Sequence, residues 1–157
     1  MKSDAYAAAL RLLARREHGA QELAGKLSQR GYSSEAIESA LGECQRLGLQ
    51  SDARYIEVYC RQRMADGFGP LRLLQELKQR QISAEDVVVI LDSLDIDWLS
   101  AATHAWMKKY KKVQDTSYMA LQKQKQFLRY RGFSMETIAM VFEKVLHEDL
   151  RDKTSIY

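Results

Sequence analysis

Three histidines, two cysteines and a short series of aspartates are the side chains here that could do catalysis or hold a metal, and their spacing argues against both. His18, His104 and His147 lie far apart in the chain, whereas a metal centre or a nucleophile–base pair needs groups within bonding or hydrogen-bonding reach. They read as surface or half-buried histidines. Cys44 and Cys60 stand without a CxxC spacing on apolar helical stripes, where a free thiol behaves as a small hydrophobe. Asp92, Asp95 and Asp97 are spaced as a helix end followed by a new cap. There is no GxxxxGK[ST] and no GxGxxG, and the glycines of GFGP (Gly67 to Pro70) suit a helix–helix turn. The expectation is a protein that is not an enzyme and uses no metal or cofactor.

Charge placement carries more information. From Lys108 to Arg131 there are eight bases (Lys108, Lys109, Lys111, Lys112, Lys123, Lys125, Arg129, Arg131) and one acid, Asp115, a local net of +7 by eight minus one, where the whole chain is +3. Between Gln81 and Asp97 there are five acids and no base. Arg61, Arg72 and Arg80 extend the basic set into the middle of the chain. Such a surface draws phosphates or carboxylates, although a solvated face is the plainer reading of any charge run. Lys108 with Lys112, and Lys125 with Arg129, are like charges at i, i+4, which slightly destabilise their own helix; an external anionic partner would account for them. Of the aromatics among these bases, Trp106 and Tyr110 keep an apolar helical spacing and read as core, which leaves Tyr118 and Tyr130 as candidates for stacking.

The elements that position these residues read as helices throughout. With 46% hydrophobic and 29% charged residues the chain is in the range of folded globular proteins. No run approaches the roughly 18 apolar residues of a membrane span, and Asp4 with the following arginines interrupts any signal-peptide pattern, so a cytoplasmic location is expected. A single proline, Pro70, and long periodic segments predict an all-α fold.

The same pattern then occurs three times, as ELAGKLSQRGYSSEAI (Glu22 to Ile37), RLLQELKQRQISAEDV (Arg72 to Val87) and KQKQFLRYRGFSMETI (Lys123 to Ile138). Leu27, Leu77 and Leu128 correspond, as do Arg30, Arg80 and Arg131, and Tyr32, Ile82 and Phe133, at spacings of 50 and 51. Ser33, Ser83 and Ser134 each stand where a helix N-cap is needed. Gln81 occupies the place of Gly31 and Gly132, so that turn either carries about 1 kcal/mol of strain or closes differently. In the first helix Tyr6, Leu10, Leu13 and Ala14 form the expected inward face. The reading is an elongated tandem array of three-helix repeats over residues 3–50, 51–96 and 97–147, with a frayed tail over 148–157. Helix, glycine turn and helix is also the outline of a helix-turn-helix. The third helix of each repeat lacks Lys and Arg over Ser33 to Gln45, Ile82 to Asp97 and Ser134 to Glu143, which argues against major-groove readout.

Four segments carry a resemblance: ALRLLARREHGAQELAGKLSQRGY (Ala9 to Tyr32), LGLQSDARYIEVYCRQR with GFGPLRLLQELKQRQIS (Leu47 to Ser83), DIDWLSAATHAWMKKY (Asp95 to Tyr110) and QKQKQFLRYRGFSMETI (Gln122 to Ile138). In this order, over about Ala5 to His147, the chain resembles the RecX family of bacterial recombinase modulators. The resemblance implies a non-catalytic regulator that binds the RecA–single-stranded-DNA filament, and a monomer is expected. It would lower recombinase, ATPase and coprotease activity in DNA recombination, repair and the SOS response. A direct single-stranded-DNA binder is the alternative, because both readings use the same bases.

Overall fold

The computed structural model describes residues 3–154. Among these the chain is helical, without strands: α1 (Asp4–Arg15), α2 (Ala20–Gln29), α3 (Ser34–Arg46), α4 (Asp52–Ala65), α5 (Pro70–Gln79), α6 (Ala84–Ser93), α7 (Trp98–Tyr110), α8 (Tyr118–Tyr130) and α9 (Met135–Thr154).

The middle helix of each triplet ends in the same turn. After α2, the amide of Tyr32 donates to the Leu27 carbonyl (3.3 Å) and that of Gly31 to Ser28 (3.0 Å). After α5, Ile82 donates to Leu77 and Gln81 to Lys78, both at 3.0 Å. After α8, Phe133 donates to Leu128 (3.2 Å) and Gly132 to Arg129 (3.0 Å). This doubled pattern satisfies carbonyls that a helix end leaves without partners, and it requires a left-handed residue between the two donors. Gly31, Gln81 and Gly132 supply it, with φ of 91°, 64° and 99°. Gln81 therefore closes its turn as the glycines do and bears the strain of a side chain there. Leu27, Leu77 and Leu128 are fully buried, and the next helix starts from a serine each time. Ser33 Oγ accepts from the Ala36 amide (3.1 Å), Ser83 Oγ from Asp86 (3.2 Å) and Ser134 Oγ from Thr137 (3.1 Å).

The chain gathers into two compact units. One comprises the chain through Cys60 together with Glu76–Ser93; the other comprises Arg61–Gln75 together with the chain from Leu94 onward. In the first, α1 packs chiefly on α3. Its buried face is Ala5, Tyr6, Ala8, Ala9 and Leu12, not the expected Tyr6, Leu10, Leu13 and Ala14. Leu10 and Leu13 are half-buried at the edge of this core, because small alanines let a neighbouring helix close in where leucines would hold it off. The core of the second unit is built from Ala102, Trp106, Leu128, Phe133, Val141 and Phe142, with Trp106 Nε1 donating to Gln124 Oε1 (2.9 Å). The middle triplet contributes to both units: Tyr55, Ile56, Cys60 and Leu77 are buried in the first and Leu73 in the second. Burial pushes the Cys60 thiol up to about 11 and raises that of Cys44 as well.

Two local expectations are corrected. The last helix continues past His147 to Thr154, where Lys153 pairs with Asp149 (3.1 Å) and Thr154 Oγ1 donates to the Leu150 carbonyl (3.0 Å). Polar side chains can extend a helix that has lost its apolar stripe; residues 155–157 of the expected tail lie outside the described residues. His18 is fully buried rather than at the surface or half-buried. Its Nδ1 lies 3.0 Å from the Arg16 carbonyl and its Nε2 3.1 Å from Lys26 Nζ. Its carbonyl accepts from Gln50 Nε2 (3.2 Å), which also donates to Asp52 Oδ1 (3.0 Å), and that oxygen accepts from the first amide of α2, Ala20 (2.8 Å). A carboxylate of the middle triplet thus caps a helix of the first.

Within the second unit the α5 start meets the α8 turn backbone to backbone. The amide of Gly69 donates to the Arg131 carbonyl (2.8 Å) and that of Leu71 to the Gly132 carbonyl (2.9 Å). A Cβ on Gly69 would stand 2.7 Å from the Gly132 oxygen, and one on Gly132 would meet the Arg72 backbone nitrogen at 2.5 Å. Gly31 has open space around it. Gly132→Ala is therefore expected to cost about 2–5 kcal/mol, from the left-handed penalty plus overpacking, and Gly31→Ala only about 1–2 kcal/mol, both read by urea unfolding.

A second expectation concerns pH. Burial, opposed by the hydrogen bond to the Arg16 carbonyl and reinforced by the charges of Arg16 and Lys26, lowers the His18 pKa below its ordinary 6.5. Between the folded and unfolded values the unfolded chain binds more protons, so stability is complete above about pH 6.5 and falls as pH drops through the folded value. In thermal unfolding at pH 7.5 and pH 5.5, that loss should be smaller for His18→Gln than for the parent.

Candidate partner-binding surface

The basic residues singled out by sequence are distributed unequally. Lys108 and Lys109 occupy the last turn of α7, and Lys111 ends that helix in the left-handed region (φ 65°), its amide donating to Met107 (2.8 Å). Lys112 lies in the following loop, Lys123, Lys125 and Arg129 on α8, and Arg131 at the C-cap of α8. With Arg61 on α4 and Arg72 on α5, all of these belong to the second unit. Arg80 does not join them. It belongs to the first unit, where Nη1 donates to the Tyr55 hydroxyl (3.0 Å) and lies 3.8 Å from Glu22 Oε2, with the guanidinium 4.9 Å from the Tyr59 ring. Its role there is to tie α5 to α2 and α4.

In the second unit several cations stack on aromatic rings in series. The guanidiniums of Arg63, Arg131 and Arg72 lie 3.9, 4.7 and 5.2 Å from the centre of the Phe68 ring. Arg131 also lies 5.1 Å from the Phe127 ring, over which Lys109 Nζ sits at 4.4 Å, and Arg72 lies 5.1 Å from Tyr130. Backbone carbonyls fix two of these heads: Arg131 Nη1 donates to Asp66 (2.9 Å) and Arg72 Nη1 to Tyr130 (3.3 Å). Beside this row His104, Lys108, Lys109 and Arg131 line a cleft that also contains Asp66 and Phe127.

The aromatics among the bases thus divide in two. Phe127 stacks edge-on against Tyr110 (5.7 Å, 86°), and Trp106 packs against Tyr110 and Phe142, as core. Tyr118 and Tyr130 are exposed. Arg63 and Phe68 escape sequence reasoning, because Phe68 sits in a glycine turn with no periodicity and meets Arg131 only through the fold. Among the described residues Lys108, Lys111, Lys112, Lys123, Lys125 and Arg129 form no ion pair. Also among the described residues, no three His, Cys, Asp or Glu side chains gather as metal ligands, and no helix is long and apolar enough to cross a membrane.

Three helical triplets sharing one turn, with cations and aromatic rings exposed on the last, define a tandem three-helix-domain protein. Models of the first, second and third three-helix domains of RecX match residues 5–44, 51–88 and 95–142. The chain belongs to the RecX family. Regulatory protein RecX of Legionella pneumophila (strain Corby) is 47% identical over 141 residues, which is 90% of this chain and 94% of the relative. That of Pseudomonas entomophila (strain L48) is 42% identical over 130 residues, 83% and 84% of the two chains. The crystal structure of RecX from Lactobacillus salivarius has a TM-score of 0.76 at 22% identity, covering 90% of this chain and 94% of the other, a likeness of fold. The family gives the protein a regulatory role of the RecX kind.

Phe68 is the common support of three guanidiniums. Replacing it by leucine keeps most of the volume and removes the ring face, with an expected loss of about 1–2 kcal/mol in urea unfolding. Phe68→Tyr, which keeps the face, should stay within about 0.5 kcal/mol of the parent.

Proposed function

We propose that this protein binds the RecA–single-stranded-DNA filament and lowers its recombinase, ATPase and coprotease activities, acting without catalysis of its own, as a cytoplasmic monomer in DNA recombination, repair and SOS modulation. Membership of the RecX family supports the role. The observation that carries the choice of surface is the group of cations on α7, α8 and the loop between them that no acid neutralises. Lys108, Lys109, Lys111, Lys112, Lys123, Lys125, Arg129 and Arg131 make up this surface, with Arg61 and Arg72 contributed by the middle triplet. Arg80, held by Glu22 and Tyr55, is left out of it.

Six cations without acid partners repel one another, and Lys125 with Arg129, at i, i+4 on α8, also weakens its own helix, whereas Lys112 lies in the loop after α7 and makes no such helical pair with Lys108. DNA phosphates in the filament, or acidic side chains of RecA, relieve that repulsion on binding. The exposure of Tyr118 and Tyr130 favours a second reading, direct single-stranded-DNA binding with stacked bases. The two differ in salt dependence: contacts dominated by phosphate weaken steeply with salt, while an interface with apolar anchors keeps most of its affinity.

Replacing Lys108, Lys112, Lys125 and Arg129 together by alanine should weaken inhibition of RecA-dependent ATP hydrolysis on single-stranded DNA at least tenfold, about 1.4 kcal/mol of binding. The thermal unfolding midpoint should be unchanged or higher. A quadruple variant that inhibits as well as the parent would show the basic surface to be merely solvated.

A further inference from the structure

The α8 residues Gln122, Lys125, Gln126 and Arg129 recur at i, i+3, i+4 and i+7 and line one wall of a groove of about 600 Å³. Met135, Ile138 and Ala139 of α9 line the other. The floor is apolar and continuous with the core, to which Ile138 belongs. The rim is cationic. Lys125 is half-buried with its Nζ 5.5 Å from the Phe142 ring, so its charge is held at the groove rather than trailing in solvent.

Exposed apolar side chains concentrate on the same pair of helices. The four most exposed large hydrophobic or aromatic residues among those described are Met119 (80%), Tyr118 (77%), Tyr130 (71%) and Met135 (68%), all on α8 or the first turn of α9. A single exposed methionine is ordinary, but four such residues on one helical hairpin mark a surface that another molecule covers. Tyr118 and Met119 continue the helical face of Gln122, Lys125 and Arg129 toward the start of α8, extending it to about 17 Å at 1.5 Å per residue. That length suits about three turns of a docked helix.

We infer that the groove between α8 and α9 is the docking site for an acidic amphipathic helix of the protein partner, an assignment that rests on the partner being a protein filament. Apolar side chains of that helix, at i, i+3 or i+4 and i+7, lie on Met135, Ala139 and Met119. Its carboxylates meet Lys125 and Arg129, and the Gln122 and Gln126 amides pair with polar groups at its edge. A nucleic-acid strand fits less well. The floor of Met135, Ile138 and Ala139 is aliphatic and offers a base no ring to stack on, the exposed Tyr118 and Tyr130 standing outside the groove lining.

Fluorescence anisotropy at physiological salt with the full chain tests this. The probe is a labelled, helix-stapled peptide of about eighteen residues, leucine at i, i+3, i+4 and i+7 and glutamate on both flanks; its control carries lysine for glutamate. The glutamate peptide should bind at least tenfold more tightly than the lysine peptide. Ala139→Trp fills the groove without changing charge, and it should weaken peptide binding and inhibition of RecA at least tenfold while the unfolding midpoint holds. Met135→Glu, at an exposed site, should do the same if Ala139→Trp lowers that midpoint. Equal binding of the two peptides, indifference to both substitutions, or displacement of the peptide by oligothymidylate would each overturn the docking site. Failure of the parent to inhibit RecA would instead overturn the proposed function, whatever the peptide does.

Discussion

The paired hydrogen bonds from Gly69 and Leu71 to the carbonyls of Arg131 and Gly132 are the constraint on which the second unit depends. They join two helix ends that would otherwise carry unsatisfied backbone groups: early amides at the start of α5 and late carbonyls at the end of α8. Pro70 removes one of those amides altogether, and Leu71 places the next on Gly132. Two backbones come this close only because neither Gly69 nor Gly132 has a Cβ. The contact places Phe68 against Arg131, and with Phe68 in place Arg63 and Arg72 find a ring to lie on. The stack of Arg63, Arg72 and Arg131 on Phe68 thus rests on a backbone interaction that involves no charge.

The same glycine position is filled differently at the α5 turn, and the surroundings explain why. Ile82, which follows Gln81, approaches Gly19 with a side-chain atom, its Cδ1 lying 3.5 Å from where a Cβ would stand, and the Tyr55 ring is at 3.4 Å. Side chains make that junction within the first unit: Asp52 caps α2, and Arg80 reaches Tyr55 and Glu22. A junction made by side chains leaves room for Gln81 to adopt a left-handed backbone at a local cost. A junction made by backbones has no such tolerance.

What could be read in the sequence was local. The leucine, the left-handed position and the capping serine fall within seven residues of one another in each copy, and hydrogen bonds of short range dictate all three, so their spacing shows in the chain itself. The unreadable features pair residues far apart. His18 is buried through Gln50 and Asp52, Arg80 is taken up by Glu22, and Phe68 gathers Arg131, in each case across dozens of residues with no periodicity to announce it. The inward face of α1 escaped for another reason. Hydropathy ranks leucine above alanine, whereas close helix packing selects for small size. The basic run was visible, but not that Lys109, Lys125 and Arg131 rest on rings, since Phe127 and Phe142 meet the two lysines, and Phe68 meets the arginine, only through the fold.

Cys44 and Cys60, both buried and with thiols harder to ionise than usual, have a practical consequence. Thiolate is the species that reacts with oxidants and maleimides, so at neutral pH neither native cysteine competes with one introduced at the surface. The natural chain is then already a suitable background for single-site labelling. A spin label or fluorophore at one exposed position on α8 would report on a bound partner without the natural cysteines first being removed.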